Sequence, residues 1–159
     1  MKSAVTTLVM VVALSACDKP AYPTAATETI KAQAQSGLSL TDGRLVLPAV
    51  KANPGAAYFK LANASDRDTA LTAVEVAGAT RAEMHETSGS EMTPLKSVPL
   101  GAANSVIFAP GGKHVMVFGL DPAIEPGATH EMTLTFADGE RLTAPLKVEA
   151  AGGAMEHMH

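Results

Sequence analysis

The sequence predicts an all-β fold, a Greek-key β-sandwich of short antiparallel strands, and three observations carry that expectation. From Leu38 onward, short apolar or alternating segments recur between Asp-Gly, Asn-Pro-Gly, Ser-Gly, Pro-Gly-Gly and Pro-Gly turn signals. Within His130–Phe136, Met132, Leu134 and Phe136 alternate with Glu131, Thr133 and Thr135, the period of two of a sheet with one wet face. No stretch between residues 38 and 149 sustains the apolar period of a helix of useful length.

Residues 1–16 stand outside that fold. Lys2 followed by the apolar run Leu8–Leu14 reads as a secretory signal peptide, too short to span a membrane as a helix. The run ends in Leu-Ser-Ala-Cys, the pattern of a bacterial lipoprotein signal in which cleavage precedes the cysteine, so Cys17 is the expected lipidation site and anchors the chain to a membrane. Asp18, next to it, resembles the address that retains lipoproteins in the inner membrane, with the mature protein facing the periplasm. Once the leader is removed, 11 basic residues stand against 16 acidic ones, a formal charge of −5, which disfavours a nucleic-acid partner. Cys17 is the only cysteine, so acylation leaves neither a disulfide nor a free thiol.

Residues 17–37, rich in Ala, Thr, Gln and Pro, suit a lipidated N-terminus and flexible tether. One domain is expected over residues 38–149, with strands at Leu38–Leu40, Arg44–Leu47, Ala57–Asn63, Ala70–Val76, Thr80–Thr87, Ser90–Leu95, Ser105–Ala109, His114–Gly119, His130–Phe136 and Arg141–Val148. The last two form a hairpin through Asp138-Gly139, and Pro145 assigns Arg141–Val148 to a sheet edge. Residues 150–159 form a disordered tail carrying Met155, His157, Met158 and His159, auxiliary metal ligands in this reading.

In a strand, residues two apart share a face, so His114 and Met116 project together while Val115 and Val117 turn into the core. A second pair, His85 and Met92, flanks Ser88-Gly89. If those two residues form the hairpin turn, 87 pairs with 90, 86 with 91 and 85 with 92, which sets His85 and Met92 directly opposite with Cβ atoms about 4.5–5.5 Å apart. Two imidazoles and two thioethers suit Cu(I), a soft ion; zinc prefers thiolate, imidazole or carboxylate, and calcium needs oxygens. A blue-copper electron carrier would require a thiolate, and no Ser/His/Asp set, carboxylate pair or phosphate loop points to an enzyme. Met84 is expected in the core. His130 and Met132 repeat the His-x-Met spacing, but Met132 continues the apolar face of its strand. Glu86 and Glu91 are candidates to hydrogen-bond an imidazole nitrogen, or else remain solvated charges.

These residues resemble the periplasmic copper chaperones of the PCuAC family, cupredoxin-like domains with a His, a Met and, after a long gap, a His-x-Met. The 21 residues between Met92 and His114 match that spacing, and "FAPGGKHVMVFGL" matches the most characteristic segment. "AAYFKLAN" (56–63), the strand from Asp68 to Val76 and "AEMHE" (82–86) also match, so the resemblance covers most of residues 38–149. It implies His85, Met92, His114 and Met116 as ligands of Cu(I), with Cu(II) as a further cargo of the tail. It also implies handover to a copper-accepting protein, namely cytochrome c oxidase subunit II or an assembly factor. Two departures stand out: six residues rather than ten separate His85 from Met92, and "TDGRLVL" replaces a first strand that commonly carries tryptophan. Two other functions fit the same residues, a copper-buffering or acquisition lipoprotein and a metal-free envelope interaction module whose methionines are packing residues.

Overall fold

A computed structural model describes residues 37–152; the leader, Cys17, most of the tether and the tail methionines and histidines lie outside the described residues. Every regular element among those described is a strand: β1 (Leu38–Val46), β2 (Gly55–Asn63), β3 (Thr69–Val76), β4 (Arg81–Ser88), β5 (Glu91–Pro94), β6 (Val98–Leu100), β7 (Asn104–Phe108), β8 (Lys113–Phe118), β9 (Thr129–Phe136) and β10 (Arg141–Glu149). They hydrogen-bond in the order β5-β4-β8-β2-β1-β10-β9-β3-β6, with β7 also on β2. A sheet this wide cannot stay flat, because neighbouring strands twist against each other, and curling lets its inner faces meet around one core.

The alternation read from the sequence sets which face is inside. Met132, Leu134 and Phe136 of β9 are buried, as are Leu142, Ala144, Leu146 and Val148 of β10. On β2 the buried set is Gly55, Ala57, Phe59, Leu61 and Asn63, and Phe59 stacks on Phe108 of β7 with ring centroids 4.3 Å apart. Asn63 is a buried polar residue that satisfies itself: its amide donates to Arg67 O (2.7 Å) and Gly101 O (3.2 Å), while its carbonyl accepts from Ser65 N and Ser65 Oγ.

Three sequence expectations need correction. Leu38–Leu40 and Arg44–Leu47 are one strand, β1, whose register shifts between Thr41 and Arg44 around Asp42 at φ 56°. The strands are not all antiparallel, for β1 runs parallel to β10. And β10 is not an edge: it lies between β1 and β9 despite Pro145. The parallel ladder begins only at Arg44↔Lys147, so Pro145 faces the irregular part of β1, where its missing N–H leaves no gap. A Cβ on Gly43 would come within 2.8 Å of Pro145 O, so that close approach needs glycine. The short strand β6 was not anticipated.

Candidate metal centre

The sequence-predicted ligands His85, Met92, His114 and Met116 share the outer face of β5, β4 and β8. The turn that opens β8 is set by Pro110-Gly111: Gly112 N donates to Ala109 O (3.1 Å), and Gly111 has φ 80°, the type II geometry that favours Pro then Gly. From there the strand alternates as expected. Val115 and Val117 are fully buried on the core side, leaving His114 and Met116 to share the other. On β4, Met84 is buried in the core, so Glu83 and His85 project outward with them.

Pairing of β4 with β8 brings the two histidines together. His85 lies directly across from His114, and their rings stack with centroids 6.0 Å apart and planes 27° from parallel. An imidazole nitrogen sits about 2.0 Å from a bound metal, which puts the centroids of two rings on one ion about 5–6 Å apart. Met116 is opposite Glu83, one same-face step from His114 and diagonal to His85. Its other cross-strand neighbour is Ala56, whose small side chain leaves room for a thioether.

Met92 departs from the expected register. His85 pairs with Pro94, and Met92 pairs with Thr87. The turn is Gly89-Ser90, not Ser88-Gly89: Gly89 has φ 62°, and neither Ser88 nor Ser90 has positive φ. A two-residue turn with glycine first is the type II′ arrangement, whereas a Ser88-Gly89 turn of type I′ would force positive φ on a serine. The resulting shift is two residues, so Met92 stays on the face of His85 but sits diagonally, about 7–8 Å away along the backbone. It is 51% exposed, on a strand exposed throughout.

His114 is 7% exposed, and its Nδ1 is 3.0 Å from Gly112 O. A carbonyl can only accept, so Nδ1 carries the proton and Nε2 presents a lone pair. The same carbonyl accepts from Thr87 N at 3.1 Å, tying the imidazole to the β4–β8 ladder. His85 Nδ1 is buried without a hydrogen-bond partner, and its Nε2 lies 3.5 Å from Glu83 Oε2. Glu83 is the acidic residue at this site, and the sequence reading passed over it. Glu86 instead meets Lys113 Nζ at 2.6 Å, and Glu91 is exposed at the end of the hairpin. The signal for Glu83 was its position two residues before His85 on one strand face. Among the described residues no group of three or more His, Cys, Asp or Glu is placed to hold a metal ion, so a metal here would draw on the thioethers.

His130 and Met132 are not brought to this site. Both are on β9, Met132 fully buried in the core and His130 opposite Leu146. Met155, His157, Met158 and His159 lie outside the described residues, as does Cys17.

The model of the family described as "Putative lipoprotein LpqE-like" matches residues 38–148. The chain belongs to this family. A related protein, "Putative lipoprotein Lxx21020" of Leifsonia xyli subsp. xyli, is 30% identical over 107 residues, 64% of each chain, so the match spans under two thirds of that relative's length. Among solved structures, a copper-bound PCuAC domain from PmoF2 has a TM-score of 0.65 at 24% identity, covering 75% of this chain and 97% of its own. The Cu(I) form of DR1885 from Deinococcus radiodurans has a TM-score of 0.57 at 24% identity, covering 80% and 86%. This LpqE-like chain therefore has the PCuAC, cupredoxin-like β fold.

Proposed function

We propose that this chain is a copper chaperone of the cell envelope, holding Cu(I) through His85, Met92, His114 and Met116 and releasing it to a partner. The observation that carries the reading is the cross-strand pair His85–His114, 6.0 Å between centroids, with Met116 and Met92 on the same face. A soft monovalent ion accepts thioether and imidazole together, and neither donor type needs a negative charge to bind it. The copper-bound PmoF2 domain and the Cu(I) form of DR1885, which share this fold, support the choice of metal.

The uneven burial of the donors supports handover. Met92, exposed on a short edge strand, is the ligand most readily displaced, and a partner's ligand entering there would be followed by release from the buried His114. In this reading Cys17 is acylated and the domain is tethered on the periplasmic side of the inner membrane. The copper recipient is cytochrome c oxidase subunit II or one of its assembly factors.

The tail extends the same proposal. β10 ends at Glu149, in a cross-sheet row running Glu149–Val46–Ala56–Met116. Three strand spacings of about 4.8 Å separate its ends, about 14 Å along the sheet. Eight residues from Glu149 to His157 span up to about 26 Å when extended, enough for His157 and its neighbours Met155, Met158 and His159 to reach the site. Imidazoles there also accommodate Cu(II), whereas only copper already present as Cu(I) would pass inward without a reductant.

The test is Cu(I) titration of the full chain against a competing chelator, beside the His114→Ala/Met116→Ala double variant and a chain ending at Glu149. One equivalent bound by the full chain and lost in the double variant is the expected result. Undiminished stoichiometric binding by the double variant would refute the site. No Cu(I) binding by the full chain would favour a metal-free interaction module.

A further inference from the structure

Arg81, Glu83 and His85 lie two apart on β4 and share its outer face. The Arg81 guanidinium lies 4.3 Å over the ring of Phe118, and its Nε is 3.0 Å from Glu83 Oε1. The other carboxylate oxygen of Glu83 faces His85 Nε2 at 3.5 Å, the outer limit of a hydrogen bond. A carboxylate only accepts, so this contact favours a proton on Nε2. His85 Nδ1 points the same way from the other side of the ring. It is buried with no partner, so in the metal-free protein either form leaves it unsatisfied, but only a bare nitrogen there has a lone pair to offer a cation.

His114 has the reverse arrangement, with the proton on Nδ1 donated to Gly112 O. The two stacked rings thus present lone pairs of opposite type, Nδ1 from His85 and Nε2 from His114.

We propose that Glu83, steered by Arg81, is a positioning residue that keeps His85 in its Nε2–H tautomer, so that His85 binds the metal through Nδ1 and His114 binds it through Nε2. The inference rests on the copper reading above and adds which atoms bind. Because Nδ1 is bonded to the ring carbon nearest the backbone, ligation there draws the ion towards β4. That strand is flanked by β5, which carries Met92, and by β8, which carries Met116. Ligating histidines are commonly fixed by such partners on the non-ligating nitrogen. Here Gly112 O and Glu83 do so for opposite nitrogens.

Long-range 1H–15N correlation spectra of the full chain labelled with 15N-histidine read the tautomers directly, without metal and after one equivalent of Cu(I) under anaerobic conditions. The expected result is His85 protonated at Nε2 and His114 at Nδ1 in both states, with copper shifting His85 Nδ1 and His114 Nε2. Glu83→Ala should move His85 several-fold towards its Nδ1–H form and weaken Cu(I) binding about 10- to 100-fold. Glu83→Gln, whose amide oxygen still accepts, should restore most of the tautomer preference, and Arg81→Ala should shift it less than Glu83→Ala. Glu83 is 41% exposed, so these changes spare the core. Metal-free His85 protonated at Nδ1, copper shifting His85 Nε2 or loss of copper binding in Glu83→Gln, as a carboxylate ligand would give, overturns the proposal, as does an unchanged tautomer in Glu83→Ala. Absence of any copper shift with both tautomers as expected refutes the copper reading and the ligand assignment while the role of Glu83 stands, so the two failures are separable.

Discussion

Strand alternation in β8 divides its residues between two jobs, and substituting neighbours should separate them. Val115 is fully buried on the core face; Met116, the next residue, is half-buried on the outer face. Val115→Ala removes two methyl groups, about 1.6 kcal/mol of transfer free energy at about 0.8 kcal/mol each. If roughly half of the ~50 Å³ vacated persists as a cavity, it adds about 0.6 kcal/mol. The total, about 2.2 kcal/mol, corresponds to a fall in Tm of roughly 8 °C for a domain of this size. Met116→Ala on the outer face should cost under about 1 kcal/mol in the metal-free protein, yet weaken Cu(I) binding at least tenfold, about 1.4 kcal/mol. Urea denaturation of the metal-free variants gives the first quantity, and chelator competition on the folded protein gives the second. The reasoning fails if Val115→Ala leaves stability unchanged while abolishing copper binding, or if Met116→Ala destabilises the metal-free fold as much as Val115→Ala does.

The hairpin offers a parity test: one residue inserted between Gly89 and Ser90 should turn Met92 from the outer face and weaken Cu(I) binding, while two inserted residues should retain most of the affinity, as chelator competition would show. Asn63→Ala should destabilise the domain by about 2–4 kcal/mol in urea, because two carbonyls and the Ser65 donors lose their buried partner. Gly119→Ala should lower Tm markedly, since Gly119 has φ 61° and a Cβ there would collide with the Thr80 side chain; an unchanged Tm would mean that this loop is not packed as described.

The parts of the fold legible in the sequence are those that local pattern controls. Met132, Leu134 and Phe136 could alternate only as a half-buried strand, and Val115 with Val117 identified the core face of β8 without reference to any partner strand. Pro145 misled for a physical reason: its restriction is local, but whether the missing N–H matters depends on what β1 offers opposite, and β1 is irregular there. The register of Met92 turned on a subtler local fact, that glycine at the first position of a two-residue turn suits type II′ and spares the serines a positive φ. The direct opposition of His85 and His114 was beyond any local reading, since it joins residues 29 positions apart through the β4–β8 ladder. Glu83 was missed because proximity in sequence drew attention to Glu86 and Glu91, whereas proximity on a strand face runs in steps of two.

That same alternation would let a core this tightly filled carry the proposed exchange site. Each donor on the outer face is backed by an apolar neighbour on the inner one: Met84 before His85, and Val115 between His114 and Met116. The strands are therefore held by burial that owes nothing to metal, and the ladder and the Gly112 carbonyl fix the two imidazoles without any bound ion. Met92 has no such backing on β5, where every residue is exposed. If the site exchanges copper as proposed, its mobility should be concentrated there. Faster hydrogen exchange in β5 than in β4 and β8 of the metal-free protein, with protection of β5 rising on Cu(I) addition, is the corresponding expectation. Equal protection of all three strands without metal would place the exchange step elsewhere.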